Sequence, residues 1–380
     1  MKVLHILQAD NIVNDYRIIK QTDFQTGKGY KVRIFYFNHN NNKSSNGKLN
    51  NGTLYFSKSL LSRKFFIPGR FIFLKLIEQY YHSIKQILKF RPNQIIFHDE
   101  RFFGLIIFIK PFIKMFSNTK IKWDLRELPE YLINGKLKRI LLDLCLISSD
   151  KISFANKERA KLINKISSVY DQNKIAIIQN FPDKKFFNIK LTKQQTLKFN
   201  SFIKKKYFYI QSPLEPNRYF FNSIAALRKF KDLHIVLSGR IKDSDIKKLD
   251  YIYGNEMKFI NFTGLIDPYF LPYLIDNALG SIVLYTEDYL NSKYCAPNRL
   301  YQSLSQGIPV IVGSNPPMRN IIRKYNLGIS LKSDGRNIKD IVNGIEMFLK
   351  QKKKLIRNAK KFKNKFSWES QISELEKFLT

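Results

Sequence analysis

The 380-residue chain has only two cysteines, Cys145 and Cys295, and they lie far apart. They allow no disulfide framework and no zinc-knuckle spacing, which fits a reducing compartment. Acidic residues are also scarce: 30 Asp and Glu stand against 66 Lys and Arg, a formal net charge of +36. Long apolar runs are missing too. The greasiest stretch, 102–115, is interrupted by Lys110, Pro111 and Lys114, and a bilayer span needs roughly 20 apolar residues. The opening Met-Lys-Val-Leu-His-Ile-Leu is too short for a signal peptide and reads as a first strand. There is no Gly-x-Ser-x-Gly, no Walker loop and no His-Glu-x-x-His. These absences exclude nucleophile-elbow hydrolases, P-loop enzymes and zincins, and neither a metal nor a cofactor is expected.

What is present is an apolar content of 44%, enough for globular packing, in a length that suits two domains of about 190 residues each. Strand-like runs at 3–7, 31–37, 94–98, 121–124, 151–154 and 175–178 alternate with helical runs. A second series at 207–211, 234–238, 258–263, 280–285 and 309–313 alternates with helices over 217–230, 243–253, 268–277 and 298–306. This rhythm predicts an α/β fold with two Rossmann-like domains and mostly parallel sheets. Residues 184–200 lose the rhythm and read as a linker. Residues 38–52 read as a polar loop, and Ser367 as the cap of a final helix.

The positive charge has three readings. Lys, Asn, Ile and Phe are abundant throughout, as an AT-rich genome would give. Basic residues beside aromatics also suit an anionic membrane face, with 58–75 as the best candidate; that stretch reads equally as a core-facing helix with solvated lysines. Nucleic acid is not expected, because no RRM-like, KH or zinc-finger signature occurs and the basic residues are scattered.

Residues 295–313 are the most informative tract. Pro297 suits the first position of a helix, Gly307 ends it, and 308–312 reads as a buried strand. The helix start aims free N–H groups and Arg299 at one spot, which suits a phosphate or diphosphate. Gln302 follows one turn later, in reach of a neighbouring sugar hydroxyl. An ordinary helix–Gly–strand unit fits the same spacing. The tract resembles the donor-binding segment of family-four retaining glycosyltransferases of the GT-B fold, which often reads Pro-Asn-Lys-Leu-Phe-Glu-Tyr followed by Gly-x-Pro-Val-Ile.

The resemblance continues along most of the chain. Arg218, after Pro213-Leu214-Glu215-Pro216-Asn217, resembles the family's phosphate-contacting arginine. The family's lysine five residues on is Ser223 here. Ser238-Gly239-Arg240 and Phe262-Thr263-Gly264 resemble glycine turns near the nucleotide. In the first half, Asn14-Asp15-Tyr16-Arg17, Phe97-His98-Asp99 and 123–130 (Trp-Asp-Leu-Arg-Glu-Leu-Pro-Glu) resemble cleft-facing loops. Local ion pairs or caps are the alternative reading for Asp15, Arg17, Asp99 and Glu127, and a satisfied strand-end histidine for His98. Two departures stand out. The family's ribose-binding glutamate falls on Gln302, and its cleft histidine on Arg126, which cannot act as a base near neutral pH.

The resemblance implies an acceptor-binding first domain over 1–187, completed by a C-terminal helix at 367–380, and a nucleotide-sugar-binding domain over 200–366. It implies a hexosyltransferase that moves a sugar from a nucleotide diphosphate sugar to a cell-surface glycan or lipid-linked saccharide, such as bacterial lipopolysaccharide or capsule. Transfer would be retaining and metal-independent, in the cytoplasm at the inner face of the membrane. Arg218, Gly239, Arg240, Gly264, Ala296, Pro297, Asn298, Arg299 and Gln302 would bind the donor. Asp99, Arg126 and Glu127 would line the reacting sugar, and Asp15 and Arg17 the acceptor. An inactive membrane-bound scaffold and a sugar-nucleotide 2-epimerase share the architecture and remain alternatives.

Overall fold

The computed structural model describes residues 1–38, 44–65, 71–187, 191–203, 206–211 and 216–380. The chain divides into two compact units, Met1–Ile178 with Ser373–Thr380, and Gln179–Ile372.

The first unit holds an eight-stranded sheet. Its strands are β1 (Lys2–Ala9), β2 (Lys31–Asn38), β3 (Asn46–Lys48), β4 (Leu54–Lys58), β5 (Gln94–His98), β6 (Lys120–Leu125), β7 (Lys151–Phe154) and β8 (Ile175–Ile177). They lie in the order β3-β4-β2-β1-β5-β6-β7-β8. Every pairing is parallel except β3 with β4. Strands β1, β5 and β6 are buried on both faces; β1 and β5 accordingly read as near-continuous apolar runs, whereas β6 buries Lys122 and Asp124. Chain order reverses between β1 and β5, and the loops leaving these strands surround that switch point. Asp15 starts the helix Tyr16–Gly27 by accepting the Ile18 N–H at 3.2 Å. The helix Ile372–Leu379 ends against this sheet, where Gln94 Nε2 donates to the Leu379 carbonyl at 2.8 Å.

The second unit holds six parallel strands: β9 (Tyr207–Gln211), β10 (His234–Ser238), β11 (Ile260–Gly264), β12 (Gly280–Val283), β13 (Val310–Val312) and β14 (Gly328–Ser330). Their order is β11-β10-β9-β12-β13-β14, with the switch between β9 and β12. The helix Ile338–Phe362 buries Ile341, Ile345 and Phe348 against this sheet. Gly307 closes the helix Asn298–Ser305 at φ +78°, and a Cβ there would lie 3.1 Å from the Lys360 backbone. Position 307 therefore needs glycine twice over.

Several sequence expectations are corrected. Part of 38–52 is strand β3, whose polar residues pair with β4 at the sheet edge; 39–43 lie outside the described residues. Residues 58–75 are not one helix: β4 ends at Lys58, a single turn covers Ser62–Phe65, and a long helix runs Ile72–Phe90, with 66–70 outside the described residues. The stretch 184–200 carries a turn at Lys184–Phe187 and a helix at Lys193–Ile203. Phe186 and Phe199 bury there against Tyr207, a signal hidden among lysines and glutamines; 188–190 lie outside the described residues. Pro297 takes the N-cap position, so Asn298 is the first helical residue. The Ser367 side chain makes no cap bond, and a turn at Trp368–Gln371 precedes the last helix.

Candidate functional site

In the second unit, the candidate site grows from the switch point of the sheet. Arg299 stands in the first turn of helix Asn298–Ser305, which begins at Pro297 without a side-chain cap. It reaches back to donate from Nη1 to the Gln211 carbonyl at 2.6 Å, at the end of β9. Its guanidinium lies over the Tyr285 ring, 4.4 Å from the centroid, just beyond β12. Arg218 comes from the loop after β9 and lies 5.5 Å from the centroid of that same ring. Two cations thus share one aromatic ring at the position where open α/β sheets take their ligands. Burial lowers the pKa of Arg299 and the charge of Arg218 lowers it further, while the Tyr285 hydroxyl acts in the other direction. Adjacent guanidiniums are the arrangement a diphosphate relieves.

Around this pair, the glycine turns after β10 and β11 are tied together: the Gly239 N–H donates to the Gly264 carbonyl at 2.9 Å. Both glycines have positive φ, 127° and 67°. Thr263 Oγ1 meets Ser238 Oγ at 3.0 Å beside them. Arg240 is exposed. Ala296 and Pro297 are half-buried, and exposed Asn298 accepts from Asn180 Nδ2 at 2.9 Å. Gln302 stands one turn after Asn298, and its Oε1 has no hydrogen-bond partner among the described residues. Residues 213–215 lie outside the described residues. Tyr285 and Gln211 carried no motif; an aromatic or amide at a strand end looks like ordinary core.

In the first unit the switch point carries opposite charges packed together. Asp124, at the end of β6, is fully buried. It accepts from Arg17 Nη2 at 2.6 Å, Arg17 Nε at 3.2 Å, Gln21 Nε2 at 3.1 Å, Ser153 Oγ at 2.6 Å and His98 Nδ1 at 3.1 Å. Burial raises its pKa, but Arg17 and His98 outweigh that and hold the carboxylate well below its ordinary value. The ionised Asp124 sets the polarity of the chain behind it. His98 Nδ1–H donates to Asp124, so His98 Nε2 accepts from His5 Nδ1 at 3.0 Å. Gln25 Oε1 lies 2.8 Å from His5 Nε2; a neutral His5 accepting at that nitrogen requires the Gln25 amide turned end for end, with its NH₂ toward the ring. Burial lowers both histidines, His98 to about 4 and His5 to about 3. His98 is therefore a satisfied, neutral strand-end histidine.

Arg17 is buried by these contacts and also donates to the Ile178 carbonyl at 2.9 Å. It stands behind the loops and holds Asp124. Arg126 Nη1 donates to Asp15 Oδ2 at 2.6 Å, on a half-buried pair. Burial disfavours the Arg126 charge, but Asp15, Asp99 and Asp124 raise its pKa above the ordinary guanidinium value. Burial likewise raises Asp15, whereas the Arg126 charge, the bond to it and the Ile18 N–H hold it lower on balance. Asp99 follows β5 at φ 70°, ψ 169°, unusual for a residue other than glycine. Two bonds hold its backbone there: its N–H donates to the Asp124 carbonyl at 3.3 Å, and its carbonyl accepts from Trp123 Nε1 at 3.0 Å. Burial pushes the Asp99 carboxyl up to about 6, with Arg126 opposing and Asp124, Glu127 and Asp15 adding. Glu127 is exposed. Asp15, Asp99, Arg126 and Glu127 thus form one charged group, and Arg17 joins it only through Asp124.

No protein-family model matches the chain, and no curated protein matches it. Solved structures do, over its whole length. A sucrose-phosphate synthase from Thermosynechococcus elongatus superposes at TM-score 0.75 and 14% identity, covering 100% of this chain and 99% of that one. A glycosyltransferase from Rickettsia africae gives TM-score 0.73 and 14% identity, covering 100% and 98%. The Anabaena HepE protein in complex with UDP-glucose gives TM-score 0.67 and 12% identity, covering 100% and 99%. The fold is therefore the GT-B fold, built of two Rossmann-like domains.

Proposed function

We propose that this GT-B chain is a hexosyltransferase that takes a sugar from a nucleoside diphosphate sugar. One observation carries the reading: Arg218 and Arg299 both lie against the Tyr285 ring at the switch point of the second sheet. A diphosphate leaving group carries the charge that such a pair stabilises, and stabilisation grows as the glycosidic bond breaks. The first-turn N–H groups after Pro297 add to it, so positive protein groups take the role a metal has elsewhere. Gln302 takes the ribose, its Oε1 accepting one hydroxyl and its amide donating to another. The Gly239 and Gly264 turns let backbone approach the nucleotide, with Arg240 at the rim. HepE in complex with UDP-glucose, on the same fold, supports this donor class.

The acceptor side is assigned to the first unit. Asp99 and Glu127 meet the acceptor and transferred sugar, and Arg126 and Asp15 position them as a fixed ion pair. The acceptor is a saccharide, lipid-linked or part of a surface glycan, and the sugar keeps its anomeric configuration. The test is thermal unfolding of the full chain with UDP. At 100 times its dissociation constant a ligand adds about 2.7 kcal/mol of stability, so a clear rise in midpoint is expected, and charge reversal in Arg299→Glu abolishes it. No shift with any nucleoside diphosphate overturns the reading. Binding of a nucleotide sugar without nucleotide release or epimerisation would instead mark an inactive scaffold.

A further inference from the structure

The first unit carries an apolar surface that the transfer reaction does not use. Strands β5, β6 and β7 advance in one direction across the sheet. Right-handed crossovers therefore place the helices Phe103–Phe116 and Lys136–Ser148 on one face. The helix Ile72–Phe90 enters β5 from the β4 side in the same direction and joins them there. Contacts between neighbours confirm the layer. The Tyr80 hydroxyl donates to the Arg101 carbonyl at 3.1 Å, just ahead of the second helix, and Cys145 Sγ meets the Phe103 carbonyl at 3.5 Å.

Each helix buries one apolar stripe and exposes another. Ser83, Ile87 and Phe90 face inward in the first, Ile106, Ile109 and Ile113 in the second, Leu142, Cys145 and Leu146 in the third. The outward stripes repeat at helical spacing: Phe73 and Leu88, Phe108 and Phe112, Leu137 and Ile140, each 56–81% exposed. A helix that is apolar all round normally has both faces covered. Exposed apolar side chains repeated on three helices of one layer mark an interaction surface. No helix among the described residues is long and apolar enough to cross a membrane.

The charges choose the occupant. The three helices carry eight Lys or Arg against two acids, Glu78 and Asp143. Lys110 is held by Asp150 at 2.7 Å. A second copy of this face would set one positive field against another, whereas a sheet of anionic headgroups complements it. We infer that the outer face of these three helices lies on an anionic lipid bilayer, its aromatic and aliphatic side chains entering the interface and its cations meeting headgroup phosphates. Of the 58–75 stretch only residues 72–75, with Phe73, belong to this three-helix layer. Lipid docking here does not depend on the donor chemistry.

The experiment is flotation of the full chain with vesicles of phosphatidylglycerol mixed with phosphatidylcholine, compared with phosphatidylcholine alone. The wild type is expected to float with the mixed vesicles only. The triple variant Phe108→Ser, Phe112→Ser, Leu137→Ser should lose at least about tenfold in binding, because apolar insertion adds to headgroup attraction. Its thermal midpoint and its response to UDP should stay those of the wild type. Should that variant not fold, Lys85→Glu, Lys114→Glu, Lys136→Glu alters exposed cations only, and the same loss is expected. Unchanged flotation of a folded variant overturns the inference. So does a wild type that ignores anionic vesicles and instead sediments as a dimer that the triple variant dissociates.

Discussion

The two sheets handle buried charge in opposite ways at equivalent places. At the switch point of the first, cations and carboxylates are interleaved: Arg17 with Asp124, Arg126 with Asp15. At the switch point of the second, two guanidiniums lie against the ring of one tyrosine. Interleaving opposite charges makes the local structure self-sufficient, and removing one member leaves its mate buried and uncompensated. Placing like charges together weakens the empty protein slightly and prepares it for an anion. A charge cluster that stabilises a fold and one that binds a ligand therefore differ in sign pattern more than in composition.

The largest effect that would sharpen this contrast is at Asp124. Asp124→Ala should destabilise the protein by about 3–5 kcal/mol, because Arg17 is left charged in the interior. Urea unfolding measures it, and Arg17→Met combined with Asp124→Leu should recover most of the loss. A single variant costing under about 1 kcal/mol would show that the cluster is not a unit.

Lys122 is the next case. It lies fully buried on β6, with its Nζ 5.8 Å from the Phe378 ring centroid and no hydrogen-bond partner for that atom among the described residues. Burial lowers its pKa to about 7, helped by Lys151 and Lys120 and opposed by Asp150. Between that value and the ordinary lysine value the unfolded chain binds more protons than the folded one, so stability rises with pH across this window. A gain of about 2 kcal/mol from pH 7 to about pH 9 is expected. Lys122→Met should flatten the slope and stabilise the protein at neutral pH. An unchanged slope would contradict the assignment.

In the second sheet, Arg218→Met should lower UDP affinity by about tenfold, the worth of one charge-assisted bond, with unfolding free energy within about 1 kcal/mol of wild type. Isothermal titration and urea melts read the two separately. A destabilisation matching that of Asp124→Ala would erase the contrast between the sheets.

How far these features were legible depends on their range along the chain. Strands β5, β7, β9 and β10 occupy the residues their apolar runs predict, because each run is bounded by polar or turn residues. Strands β3, β4 and β14 were missed: β3 and β14 are three residues long and have too little periodicity to register, and β4 has only Ser57 buried, so no apolar alternation marks it. The Arg299 tract was readable because a helix start, an arginine and a closing glycine stand within ten residues. Tyr285 was not, since its meaning comes from guanidiniums contributed by two other segments. Asp124 is the extreme case: its donors come from positions 17, 21, 98 and 153, and no local pattern announces a hub assembled by topology.

The smallest expected effect tests the comparison where both strain and charge meet. Asp99 keeps a left-handed backbone and a carboxyl raised to about 6. Its folded value lies above its unfolded one, so between about pH 4 and pH 6 the folded chain holds the extra proton. Stability contributed by the protonated form is present below that window and falls as pH rises through it, by about 1 kcal/mol once partial exposure is discounted. Asp99→Asn keeps the shape of the side chain and carries no titrating group. Its urea midpoint should therefore stay level where the wild type declines, while Arg218→Met should decline as the wild type does. If Asp99→Asn kept the wild-type slope, Asp99 would not be a strained and desolvated carboxyl. The first sheet's charges would then be fully compensated, which is the stricter form of the contrast.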